Sequence, residues 1–147
     1  MNIKDFSSNE LTVRSIDTLN ELKKALKENE PSMIIGDLEE GLNSFYLLKF
    51  KDCRTSIGLC SHSHGQYAGC KRLNDGVIIY NNQTISLLSQ NMSIDWQREV
   101  DGIIYEIVLV ANKIVVVHEI GVKCFSEKGE VLWNHCTDII NNHHVVG

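Results

Sequence analysis

The chain carries one pattern twice. Residues 77–104 (VIIYNNQTISLLSQNMSIDWQREVDGII) fall without a gap on residues 114–141 (IVVVHEIGVKCFSEKGEVLWNHCTDIIN), 37 positions later. Val77 to Tyr80 fall on Ile114 to Val117, Ile85 on Val122, Leu88 on Phe125 and Ile94 on Val131. Ser89/Ser126, Trp96/Trp133, Asp101/Asp138 and Ile103/Ile140 are identities, and the tryptophan pair accounts for both tryptophans of the chain. A period of this length constrains the architecture first, because each unit must bury a face against its neighbour. Within a unit, apolar and polar residues alternate as they do along strands. A repeated β-meander over residues 76–141 is expected.

Strands are predicted at 76–80, 84–89, 94–99, 103–110, 114–119, 122–126 and 131–135. Asn81-Asn82, Gln90-Asn91, Asp101-Gly102, Ala111-Asn112, Ile120-Gly121 and Lys128-Gly129 mark the turns between them. Asparagine and glycine suit these points because they tolerate positive φ. The β-branched run Val115 to Val117 predicts a central strand covered on both faces. Ile94 pairs with Trp96, and Val131 with Trp133, on one face of each unit, so two equivalent core tryptophans are expected. Cys124 occupies the place of Leu87 and reads as a small buried hydrophobe.

The N-terminal third reads differently. Residues 11–16 suggest a short strand. Thr18 followed by Glu21 is a capping box that starts a helix, with Asp17 as an alternative cap. Leu19, Leu22, Ala25 and Leu26 form its apolar stripe opposite Lys23, Lys24 and Lys27. Pro31 ends it. Further short strands are expected at 32–35, 44–50 and 55–59, and a long loop or ragged hairpin at 60–75. The predicted fold is α+β, mainly β. It is an antiparallel meander sheet or sandwich of about seven to ten strands with one N-terminal amphipathic helix over about 18–29. One domain is expected over 1–147, in which 1–59 form a strand-helix-strand part. A chain of 147 residues buries about two-thirds of its unfolded surface, enough for a core without staples.

The second unit opens with an apolar strand, a turn and a second strand, and Gly-Glu-Val-Leu-Trp (129–133) begins a third. This resembles one blade of the pyrroloquinoline-quinone-type β-propellers. Gly129 and Trp133 carry the resemblance; the first unit keeps Trp96 but has Met92 in place of the glycine. The resemblance implies blade-like units of three or four strands set side by side. Two units cannot close a ring, since propellers need at least four blades. The family's cofactor and metal residues have no counterpart here, so no cofactor is expected.

Motifs of catalysis are missing: no nucleophile elbow, phosphate loop, HExxH or dinucleotide fingerprint occurs. Cys60, His62 and His64 alternate, so on an extended chain they share one face and suit zinc or copper, with Cys53 or Cys70 as a fourth ligand. The Ser/His/Gly-rich surroundings equally suit a solvated loop, which is the reading adopted. His118 and His135 read as satisfied or solvated strand histidines, and His143 and His144 as part of a frayed tail. The net charge of −5 and the dispersed basic residues disfavour nucleic acid. No apolar run reaches the length of a membrane span. The first residues lack a leader's apolar segment, and five cysteines at irregular spacing suggest reduced thiols. A cytoplasmic protein is expected.

These features together predict a non-enzymatic binding protein. In size, charge and lack of chemistry it looks like the small cytosolic immunity proteins that neutralise bacterial toxins, including those of contact-dependent inhibition systems. That resemblance implies a basic toxin domain as the protein partner, with no nucleic acid and no membrane. Asp37, Glu39 and Glu40, the densest acidic spot, are the expected partner-binding residues. The alternative is a metal-binding enzyme or sensor built on Cys60–His64. A third reading is a propeller-like module that self-associates through its sheet edges.

Overall fold

Thr18 begins the helix as the capping box predicts. In the computed structural model, which describes residues 1–36, 44–61 and 67–136, α1 spans Leu19–Glu28. The Thr18 hydroxyl accepts the Glu21 N–H at 3.1 Å. Leu22, Ala25 and Leu26 are its buried face. They lie on an N-terminal sheet made of β1 (Leu11–Ile16), β2 (Ser32–Ile35), β3 (Ser44–Phe50) and β4 (Ser56–Ser61), in the order β1-β3-β4-β2. β3 is antiparallel to both β1 and β4, whereas β2 runs parallel to β4. The helix sits close on β4: a Cβ on Gly58 would lie 2.8 Å from a Leu26 methyl carbon, so any side chain there must displace Leu26.

The middle sheet comprises β5 (Ala68–Leu73), β6 (Gly76–Asn81), β7 (Thr84–Leu88) and β8 (Ile94–Glu99). The C-terminal sheet comprises β9 (Ile104–Val110), β10 (Lys113–His118), β11 (Gly121–Phe125) and β12 (Val131–Cys136). Both are antiparallel meanders in chain order. β10, β11 and β12 begin and end 37 positions after β6, β7 and β8. The register slips at matching points, between Leu87 and Leu88 and between Cys124 and Phe125. In the turns that follow, the Met92 N–H donates to the Ser89 carbonyl at 2.9 Å, and the Gly129 N–H donates to the Ser126 carbonyl at 3.0 Å. Met92 and Gly129 both take positive φ, 63° and 78°.

The three sheets are stacked as layers. Leu48, Phe50, Ile57 and Leu59 of the N-terminal sheet pack against Val77, Ile79, Leu88 and Met92 of the middle sheet. The opposite face of the middle sheet (Ile78, Tyr80, Ile85, Leu87, Trp96) packs against Ile104, Ile107, Ile114, Val116 and Phe125 of the C-terminal sheet. Outside the N-terminal sheet, Ile16, Phe45, Leu47 and Cys60 are covered by α1. No helix among the described residues is long and apolar enough to cross a membrane.

The mainly-β α+β class with one N-terminal helix is as expected; the twelve named strands exceed the expected seven to ten and divide among three sheets. Three local expectations need correction. Residues 68–73 form β5 rather than part of a loop, because Ala68, Cys70 and Leu73 fill the cores while Lys71 and Arg72 point elsewhere. Val115 and Val117 are only half-buried, so β10 is central but covered on one face. The two tryptophans are not equivalent in burial: Trp96 is 8% exposed and Trp133 47%.

Candidate interaction surface

Trp96 shows what its position in a unit does. It lies opposite Leu87 on β7, on the face that meets the C-terminal sheet. Its indole N–H donates to the Glu127 carbonyl at 2.8 Å, and its ring packs on Phe125 at a centroid distance of 6.0 Å. The ring lies over the turn that ends in Gly129, and Arg98 donates from Nε to the Gly129 carbonyl at 3.1 Å. One sheet therefore grips the next through a tryptophan seated on the neighbour's β-turn.

Trp133 lies opposite Cys124 on β11, the corresponding place in the C-terminal sheet. Pairing carries the row onward: Cys124 faces Val115, and Val115 faces Val108. Residues directly opposite across strands share a face. Val108, Val115, Cys124 and Trp133 thus cross the sheet as one apolar row on the side away from the middle sheet. The corresponding row of the middle sheet is Lys71, Ile78, Leu87 and Trp96, of which the last three are buried in the inter-sheet core. On the C-terminal sheet, Val108 is 40% and Val110 53% exposed. Val117 and Val122 form a second apolar pair beside the row, with Glu106 and His135 at its two ends. Burial pushes the Cys124 thiol upward, and Lys113 on the same face partly offsets this.

The edge strand beyond this face is also distinctive. β8 reads IDWQRE and β12 reads VLWNHC. Where β8 places Asp95, Arg98 and Glu99, β12 has Leu132, His135 and Cys136. Charges on an edge strand discourage pairing with other chains, and β12 has none. Val131 and Leu132 are exposed beside Trp133.

Other candidates resolve differently. Asp37, Glu39 and Glu40 lie outside the described residues, as do His62 and His64. Cys60 is buried beneath α1, whereas Cys70 belongs to the core on the other side of the N-terminal sheet, so the fold does not bring these two thiols together. Burial raises both thiols, Cys70 to about 12. Among the described residues no cluster of three histidine, cysteine or acidic side chains is positioned to hold a metal ion. An open cleft of about 500 Å³ runs along the junction of the N-terminal and middle sheets. Its one arginine is engaged: Arg72 is ion-paired with Glu10 and stacks over Phe6 at 4.7 Å.

His118 is neither satisfied nor solvated. It is 4% exposed, and neither ring nitrogen has a hydrogen-bond partner. Burial lowers its pKa, against a smaller upward pull from Asp101. It stands where the middle sheet has Asn81, whose side-chain amide reaches the Cys60 carbonyl of the N-terminal sheet.

Sequence reading missed the valines of β9 as surface residues. Two signals were present: Val108 stands 37 positions after Lys71, just ahead of the repeated units, and β12 drops the charges of β8. No protein-family model matches the chain, and no curated protein is significantly similar to it.

Proposed function

We propose that the chain is a non-enzymatic binding protein that acts in the cytoplasm, and that its two meanders are duplicated, blade-like units. In its specific form it is an immunity protein that neutralises a basic bacterial toxin domain by direct contact. The observation that carries the binding role is the exposure of Trp133 (47%) and Val108 (40%) at the two ends of a row, half-buried at Val115 and buried at Cys124, on a sheet face whose counterpart is buried in the middle sheet. A large exposed aromatic is a frequent anchor of a protein interface, and contiguous exposed apolar side chains such as Val131, Leu132 and Trp133 mark binding sites. The net charge of −5 would steer a basic partner toward it, with Asp37, Glu39 and Glu40 as the acidic contribution.

The test is to read the genes beside this chain's own for a basic toxin domain, whose absence counts against the immunity role, and to titrate the chain against any such domain found, with rescue from toxicity on co-expression. Trp133→Glu should weaken binding by at least about tenfold. Reversing Asp37, Glu39 and Glu40 to lysine should slow association and flatten its salt dependence. Absence of rescue would reject the immunity role; wild-type affinity of Trp133→Glu would reject the tryptophan face as its site.

A further inference from the structure

We propose that, when no other partner is present, the outer face of the C-terminal sheet pairs with the same face of a second copy of this chain. The two-fold axis would run along the row Val108–Val115–Cys124–Trp133. This rests on reading that face as a protein-binding surface, and it names the occupant.

The intramolecular contact sets the first condition. A face of this kind packs, in the middle sheet, against the opposite face of the following sheet. Among the described residues a second copy offers no such face. The corresponding faces of its middle and C-terminal sheets are buried in the inter-sheet cores, and α1 covers the outside of its N-terminal sheet. Among the described residues head-to-tail stacking of sheet faces is therefore blocked, which leaves like-with-like pairing of this face. Such pairing closes after two copies and leaves a helix-covered layer at each end, as an isologous interface requires.

Charge sets the second condition. Glu106 lies opposite Val117 and Lys113 opposite Val110, so they flank the row on opposite sides, on adjacent strands. Both are on the outer face and exposed. Among the described residues neither forms an ion pair with the other. Rotation about the row carries Glu106 of one copy over Val110 of the other, beside Lys113. The offset is one strand spacing, about 4.8 Å, within reach of an ion pair. The same rotation lays Trp133 against Trp133 and Val108 against Val108. Four strands about 4.8 Å apart and about 20 Å long give a footprint of about 400 Å² on each copy, about half that of a standard specific interface and in the range of weak, transient contacts. The dimer should accordingly depend on concentration.

Sedimentation velocity on the full chain from low-micromolar to near-millimolar concentration tests this. The expected result is a shift from 16.6 kDa toward twice that mass. Trp133→Glu and Val108→Glu, at opposite ends of the row, should each raise the dissociation constant at least about tenfold. The melting temperature, read by circular dichroism at a concentration where wild type is monomeric, should be unchanged in both. A monomer at every concentration overturns the proposal, as does a dimer indifferent to both glutamate variants. A dimer lost with Leu132→Glu but kept with Val108→Glu overturns it too, by placing the contact on the strand edge. If wild type is monomeric while Trp133→Glu still loses toxin binding, the pairing fails and the binding surface stands. If Trp133→Glu abolishes the dimer yet binds toxin as wild type does, the reverse holds.

Discussion

The Trp96 ring occupies the space a side chain at residue 129 would need: a Cβ there would lie 2.7 Å from Trp96 Cδ2. Residue 129 also has φ +78°, a conformation that costs an L-residue about 1–2 kcal/mol. Gly129→Ala should therefore destabilise the chain by about 2–4 kcal/mol, combining backbone strain with overpacking. Urea unfolding measures it. Trp96→Phe, which opens space but gives up the bond to the Glu127 carbonyl, should cost less in the Gly129→Ala background than in wild type. Additive costs would count against direct contact.

His118 makes stability depend on pH. Its folded pKa lies below the ordinary value of 6.5, chiefly through burial. The unfolded chain therefore binds the proton more readily, and stability rises with pH across the interval between the two values. As pH falls, the loss begins near 6.5 and levels off below the folded value. His118→Leu removes this contribution along with two unpartnered ring nitrogens. Against wild type, the variant should gain stability progressively between pH 8 and pH 5, read as the difference between two series of denaturant midpoints. Parallel series would exclude His118 as the titrating group.

The thiols should react in order of exposure. Cys136 is exposed and Cys53 half-buried, whereas Cys60, Cys70 and Cys124 are buried. The thiolate is the reactive form, and Cys70 is held at about 12. Alkylation of the native protein at pH 8, followed by peptide mass mapping, should label Cys136 first and Cys53 next. The other three should label only on unfolding.

The covering of the N-terminal sheet by α1 rests on two local features. Thr18→Ala should cost about 1 kcal/mol by freeing the Glu21 N–H. Gly58→Val should cost more than that, because Leu26 would have to move off β4. Thermal unfolding of both variants gives the order, and equal midpoints would refute it.

The sequence made the regular parts legible. The helix followed from Thr18, Pro31 and a 3.6-residue stripe, and seven of the strands followed from alternation between asparagine and glycine turns. β5 was hidden because AGCKRL does not alternate; its small residues fit where Asn2 approaches, with the Asn2 N–H bonded to the Ala68 carbonyl. The exposure of Trp133 was hidden for another reason. A repeat shows which residues are alike, but whether a face is buried depends on what lies beyond it. Trp96 has a neighbouring sheet, and Trp133 has none among the described residues. The same logic concealed His118, whose counterpart Asn81 finds a carbonyl that the histidine does not.

Strand order also carries a kinetic consequence. Each strand of the middle and C-terminal sheets pairs with its immediate successor, so both can assemble hairpin by hairpin with little loop entropy to overcome. The N-terminal sheet must instead insert β4 between β3 and a parallel β2 from further back in the chain. Contacts of longer range form more slowly. The layer beneath α1 is thus expected to complete last, leaving a young or heated chain with apolar sheet faces open at both ends of the stack.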